Sequence, residues 1–250
     1  MTKKNLYYAA VFARTKFFKT AILGFFLTIC SWPRVTIEVF TRKSLGERYL
    51  NFPLCLFIGA LLFAFPFGFD PYDHRLGHVV FSNLTWYIYV VAYLYASYQR
   101  YLEVKREPSV FDFAKFSLSA GVIRWQFFSF KWRGKAPSTR MVATFIEPGV
   151  FVAAGILLIL SGQKLGYLFV TCGIIYSLSW AAQFHIGDTY VMDKIDEMIL
   201  NEELVESFVH GKSAAETRGF EHYGRRPSNI NFRRKVAESM IDEEPPVDVY

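Results

Sequence analysis

Acidic residues are scarce through the first three quarters of the chain. Of 22 Asp and Glu, eight fall within residues 1 to 187, where 20 of the 28 Lys and Arg also lie; the remainder reverses the sign, with 14 acids and eight bases. The overall excess of six positive charges therefore hides a basic body joined to an acidic tail. A basic body beside long apolar runs points to anionic lipid headgroups before nucleic acid. Cysteine is also sparse. Cys30, Cys55 and Cys172 are odd in number, far apart and set in apolar runs, which excludes a disulfide framework or a metal-ligand pattern and leaves packing thiols.

Catalytic and cofactor signatures are missing as well. The chain has no glycine-rich phosphate loop, no Gly-x-Ser-x-Gly elbow, no His-Glu-x-x-His and no Asp-rich cation site, so no enzyme activity and no cofactor are expected. His74 and His78 are four residues apart near Asp70 and Asp73, but Asp70-Pro71 reads as a turn and Gly77 interrupts the pair; no metal site is expected. The stretch from Ala21 to Trp32 lacks a small-x-small cleavage site and runs into Pro33 and Arg34, so a removable signal peptide is not expected. There is no internal repeat of the kind found in many transporters.

What is abundant is apolar and aromatic: 52% hydrophobic and 18% aromatic residues, with a mean hydropathy of +0.20. Spanning a bilayer takes about 20 largely apolar helical residues, because only a helix satisfies its own backbone in hydrocarbon. Four segments meet or approach that length: Leu50 to Phe69, Val79 to Tyr98, Val142 to Leu160 and Leu165 to Phe184, with Glu147 the single acid among them. The linkers between the first two and the last two are short, which predicts two helical hairpins.

Loops rich in Lys and Arg are retained on the cytoplasmic side. Here the two hairpin tips carry one base each, Arg75 and Lys164, and the other 26 of 28 lie before, between or after the hairpins. That asymmetry requires an even number of crossings. It predicts an all-α polytopic membrane protein with four transmembrane helices, both termini cytoplasmic, in a membrane of bacterial inner-membrane type.

The twelve-residue stretch Ala21 to Trp32 reaches only about 18 Å at helical rise. It is expected to lie in the cytoplasmic interface as an N-terminal interfacial helix. The layout that follows is a segment 1–49, a first hairpin 50–98, a basic and aromatic loop 99–141, a second hairpin 142–184 and an acidic helical tail 185–250.

Residues 111 to 133 interleave eight aromatics with four cations, a composition suited to the headgroup layer, and Arg124, Trp125, Lys131, Trp132 and Arg133 are the expected headgroup contacts. No RNA-binding consensus accompanies them, so no nucleic acid partner is expected. In the tail, Asp188 or Thr189 is placed to cap a helix running to about His210 and stopped by Gly211. Its apolar stripe, Val191, Ile195, Met198, Ile199, Val205 and Phe208, is interrupted by acids that anionic lipid would repel, so it is expected to pack on protein. Ser228 is expected to cap a second short helix.

Two readings of function follow. One is a membrane anchor or scaffold subunit of a larger complex, in secretion, DNA transfer or envelope assembly, recruiting partners through its cytoplasmic segments and able to self-associate. The other is a small transporter or channel subunit whose polar centre is Glu147 with Asn83, Tyr89 and Tyr93 of the tyrosine-rich second span. Against a transport role for Glu147 stands its position: Thr144-x-x-Glu147 before Pro148 has the form of a helix N-terminal capping box.

Overall fold

The computed structural model describes residues 3–14, 17–47, 49–68, 76–104, 119–129 and 135–243. The chain is mostly helical. It divides into two compact units, one formed by Met1–Ile22 with His185–Tyr250 and the other by Leu23–Phe184. Among the described residues, three helical stretches are long and apolar enough to cross a membrane: Phe18–Thr41, Thr139–Leu160 and Leu165–Val209.

The first of these corrects a sequence expectation. Helix α2 (Phe17–Thr41) does not stop at Trp32; it passes through Pro33 and runs 25 residues, about 37 Å at helical rise. Proline removes one backbone donor, which a long helix tolerates when its neighbours hold it. The charge that made the stretch look terminated, Arg34, pairs one turn on with Glu38 at 2.9 Å. The objection from length therefore falls.

The larger unit is built on two antiparallel hairpins. Helix α3 (Phe52–Ala64) continues as a tighter turn over Phe65–Gly68, so the span expected over 50–69 is a shorter apolar helix. It packs on α5 (Leu84–Val104), which follows a short helix α4 (Leu76–Ser82). The Trp86 indole donates to the Leu62 carbonyl at 2.7 Å and the Tyr87 hydroxyl to that of Phe63. The second hairpin opens with one turn, α6 (Thr139–Met141), and a wide turn over Val142–Ile146, then α7 (Glu147–Leu160) and α8 (Leu165–Leu204). Gly155 and Gly166 bring these two backbones together. A Cβ on Gly155 would lie 2.8 Å from the Gly166 carbonyl, the close approach that small residues give helix pairs in lipid.

A short ribbon joins segments far apart in sequence. Strand β2 (Arg42–Leu45) pairs antiparallel with β3 (Ala120–Ile123), Arg42 opposite Ile123 and Lys43 opposite Val122. Gly121 sits at φ +79°, and a Cβ there would meet the Lys43 carbonyl at 2.9 Å, so only glycine fits.

In the smaller unit, β1 (Lys3–Asn5) pairs antiparallel with β4 (Ile241–Glu243). Helix α1 (Leu6–Val11), the C-terminal part of α8, a wide turn over Val205–Val209 and α9 (Ile230–Ser239) surround a core of Tyr8, Leu200, Leu204, Phe208, Phe220 and Ala237. The tail helix expected to begin at Asp188 is thus the continuation of α8, a single 40-residue helix of about 60 Å, twice the thickness of a hydrocarbon core. The helical run continues through the wide turn over Val205–Val209 and stops by Gly211, at φ +78°, where expected. The cap of α9 is Asn229, which accepts from the Asn231 and Phe232 amides, one residue beyond Ser228.

Candidate functional site

Four positions of the larger unit carry full charges into its interior: Arg34, Glu38, Arg42 and Glu147 are each no more than 1% exposed. A buried charge is tolerated only when paired and hydrogen-bonded, and each of these is. Arg34 donates to Glu38 Oε1 at 2.9 Å, to Ser179 Oγ at 2.8 Å and to the Tyr49 hydroxyl at 2.8 Å. The other Glu38 oxygen accepts from Tyr49, and Trp180 Nε1 donates to Glu38 Oε1 at 3.2 Å. Arg42 Nη2 donates to Glu147 Oε2 at 2.5 Å and its Nη1 to the Ala120 carbonyl at 3.1 Å. Tyr176 donates to the same Glu147 oxygen at 2.7 Å. Both guanidiniums lie near the Trp180 ring, Arg34 at 4.6 Å and Arg42 at 4.2 Å from its centre, a double cation–π contact.

Two cations and two carboxylates cancel; Tyr49, Trp180 and Tyr176 donate to the carboxylates, and Ser179 and the Ala120 carbonyl accept from the guanidiniums. This arrangement fastens α2, β2, β3, α7 and α8 to one another at one level.

The residues expected to share a polar centre do not do so. Glu147 is not a cap: Ser138 caps the helical segment instead, accepting from Met141 at 3.2 Å, and the turn over 142–146 places Glu147 inside continuous helix. Asn83 donates to the Val79 carbonyl at 3.0 Å and stands in the wall of an apolar cavity of about 560 Å³ with Leu62, Phe65, Trp86 and Leu168. Tyr89 donates to the Thr36 carbonyl at 3.0 Å. Tyr93 is fully buried in the hairpin core, its hydroxyl toward Cys55 and Ser97. None of these three binds Glu147. Sequence reasoning missed Arg34, Glu38, Arg42, Tyr49, Tyr176, Ser179 and Trp180; the one local signal was the four-residue spacing of Arg34 and Glu38.

In the smaller unit the acids of α8 have a use other than solvation. Asp193 accepts from the Tyr8 hydroxyl at 2.8 Å and from the Arg14 amide at 3.2 Å. Glu197 accepts from the Asn5 amide at 2.8 Å, and Arg14 pairs with Asp196 at 2.5 Å. Burial and the Asp193 carboxylate push the Tyr8 phenol upward. His222 stacks on Tyr7 with ring centres 4.4 Å apart and accepts the Gly224 amide at Nδ1; burial pushes its imidazole below the ordinary value of 6.5.

The expected apolar stripe of this helix is divided. Phe208 is buried with Leu200 and Leu204, and Ile199 is half-buried, whereas Val191 (56%), Ile195 (45%), Met198 (65%) and Val205 (42%) are exposed. At 100° per residue these four fall on the side opposite Asp193, Glu197, Leu200 and Leu204.

Of the expected headgroup contacts, Arg124 and Trp125 border the β2–β3 ribbon, while Lys131, Trp132 and Arg133 lie outside the described residues. No group of His, Cys, Asp and Glu able to hold a metal occurs among the described residues. Comparison with protein families, with characterised proteins and with solved structures finds no match.

Proposed function

We propose that the protein is a multi-pass membrane anchor that holds a folded terminal unit at the cytoplasmic face of a bacterial inner-membrane-type bilayer and recruits a partner protein there. It serves as a scaffold subunit of an assembly such as one for secretion, DNA transfer or envelope building. The observation that carries this reading is the outward stripe Val191, Ile195, Met198 and Val205. It lies on a helix continuous with an apolar span, and the opposite face is already used by the protein's own core. Apolar residues at steps of four, three and seven residues, with Glu202 between the last two, suit a partner helix. A soluble helix face would not keep them in water without a use.

Parity supports the four-crossing topology. Strand β1 beside β4 favours both ends on one side of the bilayer. Each antiparallel hairpin adds two crossings or none, so a crossing by α2 would leave the ends on opposite faces. This favours an α2 that packs on the hairpins without crossing, and 26 of 28 basic residues on the cytoplasmic side.

A transporter is not favoured, because Glu147 is neutralised by Arg42 and Tyr176 and shares no site with Asn83, Tyr89 or Tyr93.

The test is a photo-crosslinking residue placed at position 198 in intact membranes. A discrete protein adduct is expected, abolished by Ile195→Asp while the chain still inserts; an adduct of twice the chain mass would identify a second copy as the partner. Crosslinks to lipid alone would contradict the proposal.

A further inference from the structure

The β2–β3 ribbon turns two faces to different tasks. Arg42 points inward to Glu147, and the next residue, Lys43, is exposed. In an antiparallel pair, opposed residues share a face and the residue two further along stands diagonally beyond. Lys43 lies opposite Val122, and Arg124 follows directly after the end of β3. These residues, with Ile123, Trp125 and Gln126, line a concavity of about 200 Å³.

Neither cation has a carboxylate partner among the described residues, and the enclosed Nε of Arg124 has no hydrogen-bond partner there either. An orphaned guanidinium N–H inside a small concavity is unusual, because such a group is costly to leave unmet. Trp125 is 74% exposed and Val122 65% exposed at the rim. Two cations with no carboxylate partner among the described residues, beside an exposed indole and an aliphatic side chain, match an amphiphile with a phosphate at one end and hydrocarbon at the other.

We infer that Lys43 and Arg124 hold the phosphate of an anionic phospholipid, with Trp125 lying against its glycerol and upper acyl region. The inference rests on the membrane reading and deepens it, because it assigns the basic ribbon a ligand. A phosphate oxygen placed in the concavity would sit between the Arg124 guanidinium and Lys43 Nζ, both of which line it. The buried ionic cluster would fix the ribbon from behind through Arg42.

The same donors could serve a soluble phosphate, and the experiment separates the two sources. Full-length protein in neutral detergent is titrated with dioleoyl phosphatidylglycerol or dioleoyl phosphatidylcholine, and bound lipid is counted by native mass spectrometry. One phosphatidylglycerol should be retained in clear preference to phosphatidylcholine. The double substitution Lys43→Gln with Arg124→Gln should weaken that adduct about thirtyfold with an unchanged melting temperature. Lys43→Gln alone, at an exposed side chain, should weaken it about fivefold, and Lys135→Gln, an exposed cation of the same basic segment, should leave it unchanged.

Equal retention of the two lipids, or an adduct that survives both Lys43→Gln and the double substitution, would overturn the inference. Displacement of phosphatidylglycerol by millimolar inorganic phosphate would assign the site to a soluble anion and overturn the lipid assignment. A chain that needs detergent yet shows no selective adduct would sink this site while leaving the membrane reading intact.

Discussion

Replacing Glu147 with Leu is expected to destabilise the protein by about 3 to 5 kcal/mol, seen as a fall of about 10 °C in the melting temperature of the detergent-purified chain. Glu147 is fully buried, and its removal leaves the Arg42 guanidinium charged, enclosed and reduced to the Ala120 carbonyl and the Trp180 face. The Tyr176 hydroxyl loses its acceptor as well. If the cost comes from the stranded charge, then adding Arg42→Leu to Glu147→Leu should restore at least about half of the loss, since a buried ion pair exchanged for apolar side chains is often neutral. A single substitution with no effect on melting would mean that Glu147 is hydrated and that the cluster is not closed.

The second large effect is expected at the seam of the α7–α8 hairpin. A Cβ on Gly166 would lie 2.7 Å from the Ile159 amide nitrogen and inside contact distance of the Gly155 carbonyl. Backbone cannot withdraw as a flexible side chain can. Gly166→Val should therefore force the helices apart, at a cost of about 3 kcal/mol or more, and lower the amount of inserted protein recovered from membranes. Gly149→Val, where an added Cβ meets nothing within 4 Å, is the matched control and should be recovered normally. Equal recovery of the two variants would contradict the close helix contact.

How much of this was legible in the sequence varies with the range of the interaction. Charge-free runs announce apolar helices because each residue carries its own transfer cost, and the helices of the second hairpin follow from them. The glycine stop at Gly211 is equally local. The reading of Ala21 to Trp32 as a complete short helix puts its end at Pro33 and Arg34, and fails there. Arg34 pairs with Glu38 one turn on and lies over Trp180, so it does not end the helix.

The cluster itself was beyond sequence patterning, since Arg42 and Glu147 are 105 residues apart and their meeting depends on β2 finding β3. The tail shows a third kind of limit. Periodicity identified apolar positions correctly, but it cannot tell an inward Phe208 from an outward Met198. That distinction depends on the N-terminal segment folding back onto Asp193 and Glu197, with partners 185 and 192 residues away.

The account depends most on both ends lying together across the bilayer from the hairpin tips. The native cysteines are all buried, so single added cysteines at Leu6→Cys, Lys212→Cys and Gln163→Cys can be labelled in sealed cells with a membrane-impermeant thiol reagent. Label at position 163 from outside, with positions 6 and 212 reacting only after permeabilisation, is the predicted pattern. Labelling of positions 6 and 212 from opposite faces would contradict it.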